Sequence, residues 1–122
     1  MSETSQAVRH QQLRRAILQL LYARAVEAPQ SLIAGVEARE IAGLLDMTAH
    51  EFAFNALYLD GKGFITNDRA SDGGEYHFNA IMITANGIDV VENPIEMDRH
   101  VPITPPTGIH KQRRSRFRSS SN

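Results

Sequence analysis

An α+β fold, with three helices, a β-hairpin and a short closing helix, is what this 122-residue sequence predicts. Three observations carry it. Ile17, Leu20 and Leu21 recur at helical spacing near the start. The run Thr48-Ala49-His50-Glu51 has the capping-box pattern, in which the hydroxyl accepts an orphan backbone amide and the carboxylate reaches back. Two runs rich in aromatic and β-branched residues, 64–67 and 76–83, flank the turn cluster Ser71-Asp72-Gly73-Gly74.

The first helix is predicted over residues 7–27, with Val8, Leu13, Ile17, Leu20, Leu21 and the stem of Arg24 near one face. Ala28-Pro29 ends it, because the residue before proline avoids helical geometry. Residues 30–35 read as a loop, and Gly35-Val36-Glu37 as a short strand. A second helix follows over 38–45, facing inward through Ile41, Leu44 and Leu45. The turn Asp46-Met47 leads to a third helix over 48–60, stopped by Gly61-Lys62-Gly63. After the hairpin, Thr84 caps a last short helix carrying Ile88, Val90 and Val91, closed by Asn93-Pro94. The domain is therefore expected over 7–93, between a polar N-terminus at 1–6 and a proline-containing extended segment and basic tail at 94–122.

Composition narrows the function. With no cysteine, disulfide frameworks, thiolate zinc sites and cysteine nucleophiles are excluded. No stretch approaches the roughly 20 apolar residues of a membrane helix, and the polar start lacks a secretion signal's apolar core. A soluble, cytoplasmic protein without membrane contact is expected. The net charge of −1 conceals a division. Lys111, Arg113, Arg114, Arg116 and Arg118 follow Gly108 with no acidic residue among them, a net of +5. Before that point 8 Lys/Arg face 14 Asp/Glu, a net of −6. An acidic body disfavours long-range attraction to a polyanion, and a basic tail favours it.

The five histidines show no three- or four-residue spacing suited to a helical metal site, and the glycine pairs lack phosphate-loop spacing. No nucleophile has an identifiable base. The sequence predicts no enzyme, no cofactor and no metal.

The order of elements resembles that of winged-helix domains, and so do local motifs. Val36-Glu37-Ala38-Arg39-Glu40-Ile41-Ala42 resembles the start of the helix before the turn. Phe52, Ala56, Leu59 and Gly63-Phe64-Ile65 resemble the run that ends in the wing. Ile83-Thr84-Ala85-Asn86-Gly87-Ile88 resembles the step after the wing in small bacterial or phage winged-helix regulators. Two departures stand out. Glu37 occupies the place of a capping Ser or Thr, and Ala56 replaces a leucine, leaving room for an aromatic side chain of the wing.

The resemblance implies a dimeric, double-stranded DNA-binding transcription regulator, its third helix lying in the major groove. On that reading Asn55 offers a bidentate contact to adenine and His50 a contact to a base or phosphate, while Arg39, Lys62 and Arg69 sit on phosphates. Lys111, Arg113, Arg114 and Arg116 form a phosphate-tracking arm. Against it stands the third helix itself, which holds no Lys or Arg and carries Glu51 and Asp60. The alternative is a winged-helix module for protein interaction or self-association, docking through Phe54, Leu57 and Tyr58.

Overall fold

The computed structural model describes residues 3–68 and 74–104. Among them the fold is α+β, with six α-helices and one three-stranded antiparallel sheet. The first helix, α1 (Glu3–Glu27), begins four residues earlier than the apolar pattern indicates. It buries Leu13, Ile17, Leu18, Leu21 and Ala25, whose spacing keeps them on one face. Leu20, expected in that set, only half enters the core. The expected loop after α1 contains a single helical turn, α2 (Ser31–Ala34), before β1 (Val36–Glu37).

Helix α3 (Ala38–Leu44) buries Ala38, Ile41 and Ala42. Leu44, predicted to face inward, is instead 59% exposed, because the small side chains of Ala38 and Ala42 complete the buried face. Asp46 takes a left-handed conformation (φ 55°), which short polar side chains tolerate. That turn delivers the chain to Thr48. The predicted capping box is present: Glu51 N donates to Thr48 Oγ1 and Thr48 N donates to Glu51 Oε1, both at 3.0 Å. Helix α4 (Ala49–Gly61) follows, burying Phe52, Ala53, Asn55, Ala56 and Leu59. Gly63, at φ +81°, turns the chain out of it.

Strands β2 (Ile65–Asn67) and β3 (Ala80–Ile83) pair antiparallel, with Ile65 opposite Ile83, and β3 also pairs with β1 through Val36 and Ile81. The sheet order is β1-β3-β2. The second strand is shorter than expected, since residues 74–76 form a 3-10 turn and His77 stands at φ 65°. The aromatic residues that suggested strand there have another use. Tyr76 and Phe78 each meet the buried Phe52 ring edge-on at 6.0 Å, one helical turn before the small Ala56.

Thr84 caps α5 (Ala85–Glu92), its hydroxyl accepting from Gly87 N at 3.1 Å and donating to Gly63 O at 2.7 Å. Asn93-Pro94, read as a stop, starts a further helix, α6 (Pro94–His100). Asn93 Oδ1 accepts from the amides of Ile95 and Glu96, and Pro94 occupies the first turn, where its missing N–H costs nothing. Met97 and Val101 are buried in the common core. The packed chain thus extends beyond residue 93. Arg15 holds this segment to α1, its Nε donating to Val101 O and its Nη2 meeting Asp98, each at 2.7 Å. Gln11 grips Thr104 twice, accepting from its backbone N at 2.7 Å and donating to its Oγ1 at 3.1 Å. No helix among the described residues is long and apolar enough to cross a membrane.

Candidate functional site

Helix α4 presents one edge to solvent, and its composition decides what that edge can bind. His50, Phe54, Leu57 and Gly61 are exposed and follow one another at helical spacing. Phe54 is 48% and Leu57 52% exposed. None of the four is a lysine, an arginine or a carboxylate.

The edge on the α1 side is covered. Asn55, predicted to point outward and read a base, is fully buried. Its carbonyl oxygen accepts from Arg14 Nε at 2.9 Å. Its amide nitrogen donates to Glu51 O at 2.9 Å and lies 3.0 Å from His10 Nδ1. Both ends of the amide are therefore spent inside the molecule, and no group is left for a base edge. The reason is the length of α1: its first half runs beside α4 and places His10 and Arg14, one turn apart, over that flank.

The Arg14 guanidinium carbon also lies over α4 aromatics, 4.0 Å from the Tyr58 ring centre and 5.8 Å from that of Phe54. His10 stacks obliquely on Phe54 at 4.7 Å. Tyr58, grouped with Phe54 and Leu57 from the sequence, is half-buried and donates its hydroxyl to His100 O at 3.3 Å. It belongs to the floor of the face. Phe54 and Leu57 form its exposed part.

Arg9 closes the N-terminal end. Its guanidinium makes two hydrogen bonds to Glu51, at 2.7 and 3.0 Å, and a third to Asp46 O at 3.3 Å. The Arg9 bond and the capping bond from Thr48 N hold the Glu51 carboxyl down to about 2. Of the two acidic residues on α4, Glu51 is thus neutralised locally, and a basic residue of α1 is consumed in doing so.

Of the predicted phosphate contacts, Arg39 and Lys62 are exposed, and neither has an ion-pair partner among the described residues. Arg39 lies 5.9 Å from the Tyr76 ring centre and Lys62 5.7 Å from that of Tyr58. They stand at the starts or ends of α3 and α4, outside the apolar edge. Arg69, Lys111, Arg113, Arg114 and Arg116 lie outside the described residues. Sequence reasoning missed His10 and Arg14 as partners of α4. Their four-residue spacing was a usable signal, since it puts two polar side chains on one face of a helix otherwise buried there. Away from α4, a shallow groove of about 380 Å³ is lined mainly by Leu20, Ala23, Val26 and Leu44.

Comparison with known proteins finds no match among family models, curated proteins or solved structures.

Proposed function

We propose that this chain is a winged-helix module that docks protein, rather than base edges, against the exposed edge of α4. The winged-helix reading is supported by the order helix, strand, helix, turn, helix, hairpin and by the β1-β3-β2 sheet. The observation that carries the docking reading is the fate of Asn55. The one side chain of α4 suited to adenine is buried and hydrogen-bonded to Arg14, while Phe54 and Leu57 remain exposed with no cation in their stripe. Groove reading draws its specificity from polar and cationic side chains, and its affinity from phosphate contacts. An apolar edge instead gains by removing surface from water against another protein, at roughly 25 cal/mol per Å².

A photo-crosslinking residue in place of Leu57 tests this in cell extract supplemented with duplex DNA. A discrete polypeptide adduct that disappears with Phe54→Ser supports the reading. A DNA adduct, or none, overturns it.

A second reading has its own observations. Arg39 and Lys62 are exposed and have no ion-pair partner among the described residues, and the stretch after Gly108 carries five basic residues and no acidic one. These groups suit sequence-independent binding to DNA phosphates. Titrating duplex DNA with the full chain and with a chain ending at Gly108, at low and moderate salt, checks it. Binding by the full chain alone assigns the affinity to the tail, and no binding at low salt removes this reading.

A further inference from the structure

The geometry points to a second copy of this chain as the occupant of the α4 edge, packed antiparallel across a two-fold axis. This rests on the reading of α4 as a protein-docking face. The exposed positions 50, 54, 57 and 61 are separated by four, three and four residues, a spacing that is the same in both directions. A two-fold axis between Phe54 and Leu57 therefore sets Phe54 against the partner copy's Leu57, and His50 against its Gly61. A closed contact of this kind uses one surface patch twice, so the patch must complement itself.

The sizes of the side chains do so. Phe54 and Leu57 fill the centre. At each end a large ring faces a glycine. Nothing among the described residues asks for glycine at 61. The residue ends α4 without a left-handed conformation, and a Cβ there would meet nothing within 4 Å. Glycine is also among the poorest helix formers. What its missing side chain provides is an open notch on the stripe, of the kind a partner's His50 would occupy.

Charge follows the same two-fold. The stripe itself is free of Lys, Arg, Asp and Glu. On the α1 flank, Lys62 of one copy comes beside Glu51 of the other, which Arg9 already neutralises. On the opposite flank, Asp60 comes to the start of the other α4, where the helix dipole favours a carboxylate. Arg14 meets its own copy near the axis, a like-charge term opposing the pairing. The stripe is also small beside the roughly 800 Å² per partner of a stable complex. The pairing is therefore weak and concentration-dependent.

The full chain contains no cysteine, so introduced cysteines report the register directly. The doubly substituted His50→Cys, Gly61→Cys chain should form an intermolecular disulfide under mild oxidation. His50→Cys alone should not, because antiparallel packing puts the two positions about 16 Å apart along the helices. Sedimentation of the unmodified chain should show a mass rising from 13.6 kDa toward twice that value as concentration approaches about 0.5 mM. Leu57→Arg should hold it at the monomer mass with an unchanged thermal melt, since Leu57 is half exposed. A disulfide from His50→Cys alone, or a chain monomeric throughout with no disulfide from the double variant, overturns the proposal. A Leu57 photo-adduct with a different polypeptide, together with a monomeric chain, overturns the second copy while leaving the docking face intact.

Discussion

Arg14 and Asn55 are joined by a 2.9 Å hydrogen bond between α1 and α4, the guanidinium donating to the only buried polar side chain among the described residues. The bond satisfies a group that would otherwise be costly to bury. It also lays the arginine over Tyr58. Asn55→Ala should therefore lower unfolding free energy by about 2–3 kcal/mol, because Arg14 Nε loses its part-buried acceptor and the added side-chain bond to Glu51 O goes with it. The urea midpoint measures this. A change under about 0.5 kcal/mol would mean that Asn55 is not integrated in this way.

Glu51 makes part of the stability dependent on pH. Its carboxyl is held at about 2 against an ordinary 4.5, so the contribution is complete above about pH 4.5. It is lost as pH falls toward 2. Thermal melts over that interval should fall more steeply for the native chain than for Glu51→Gln. The ion-pair share should stay below about 1 kcal/mol, because Arg9 is half exposed and screened.

Two glycines should respond in opposite directions to alanine. At Gly87 a Cβ would run into the Phe64 carbonyl oxygen and come within 2.7 Å of Ile83 Cγ1. Gly87→Ala should cost about 3 kcal/mol by overpacking. At Gly43 the same atom meets nothing within 4 Å in a helix. Gly43→Ala should add about 0.5–1 kcal/mol through helix propensity. Paired denaturant melts compare the two, and equal effects would contradict the packing described around α5.

Asn93→Ala should remove both side-chain caps of α6 and lower stability by about 1 kcal/mol. Hydrogen exchange should show the loss first at the amides of Ile95 and Glu96. Unchanged exchange there would mean the cap contributes nothing.

The parts of the fold legible in the sequence were those encoded by neighbouring residues. The Thr48–Glu51 box, the Thr84 cap and the Gly63 exit each depend on a few adjacent side chains, and each stands where expected. Asn93-Pro94 carried an equally local signal. Asparagine before proline begins a helix as readily as it ends one, and Glu96 in the first turn favours a beginning. The burial of Leu18 and Ala25 rather than all of Leu20 depends on which elements flank α1, and periodicity alone does not specify that. The candidate face was legible only in part. Phe54, Leu57 and Tyr58 stood out together as exposed apolar residues, of which Tyr58 is half-buried, and the burial of Asn55 required knowing that a helix 41 residues earlier would lie across it.

The two hydrogen bonds between Gln11 and Thr104 join residues 93 positions apart, and Arg15 reaches 86 positions to Val101. A nascent chain emerging from the ribosome presents α1 well before the partners of α1 at residues 98–104. Until then the outer side of α1 lacks its hydrogen-bonding complement, and Val101 is missing from the core. Closing so long a loop is slow relative to local helix formation. Residues 94–104 can therefore cover α1 only after the intervening chain has been made, so the helix waits for its partners while local structure is already able to form.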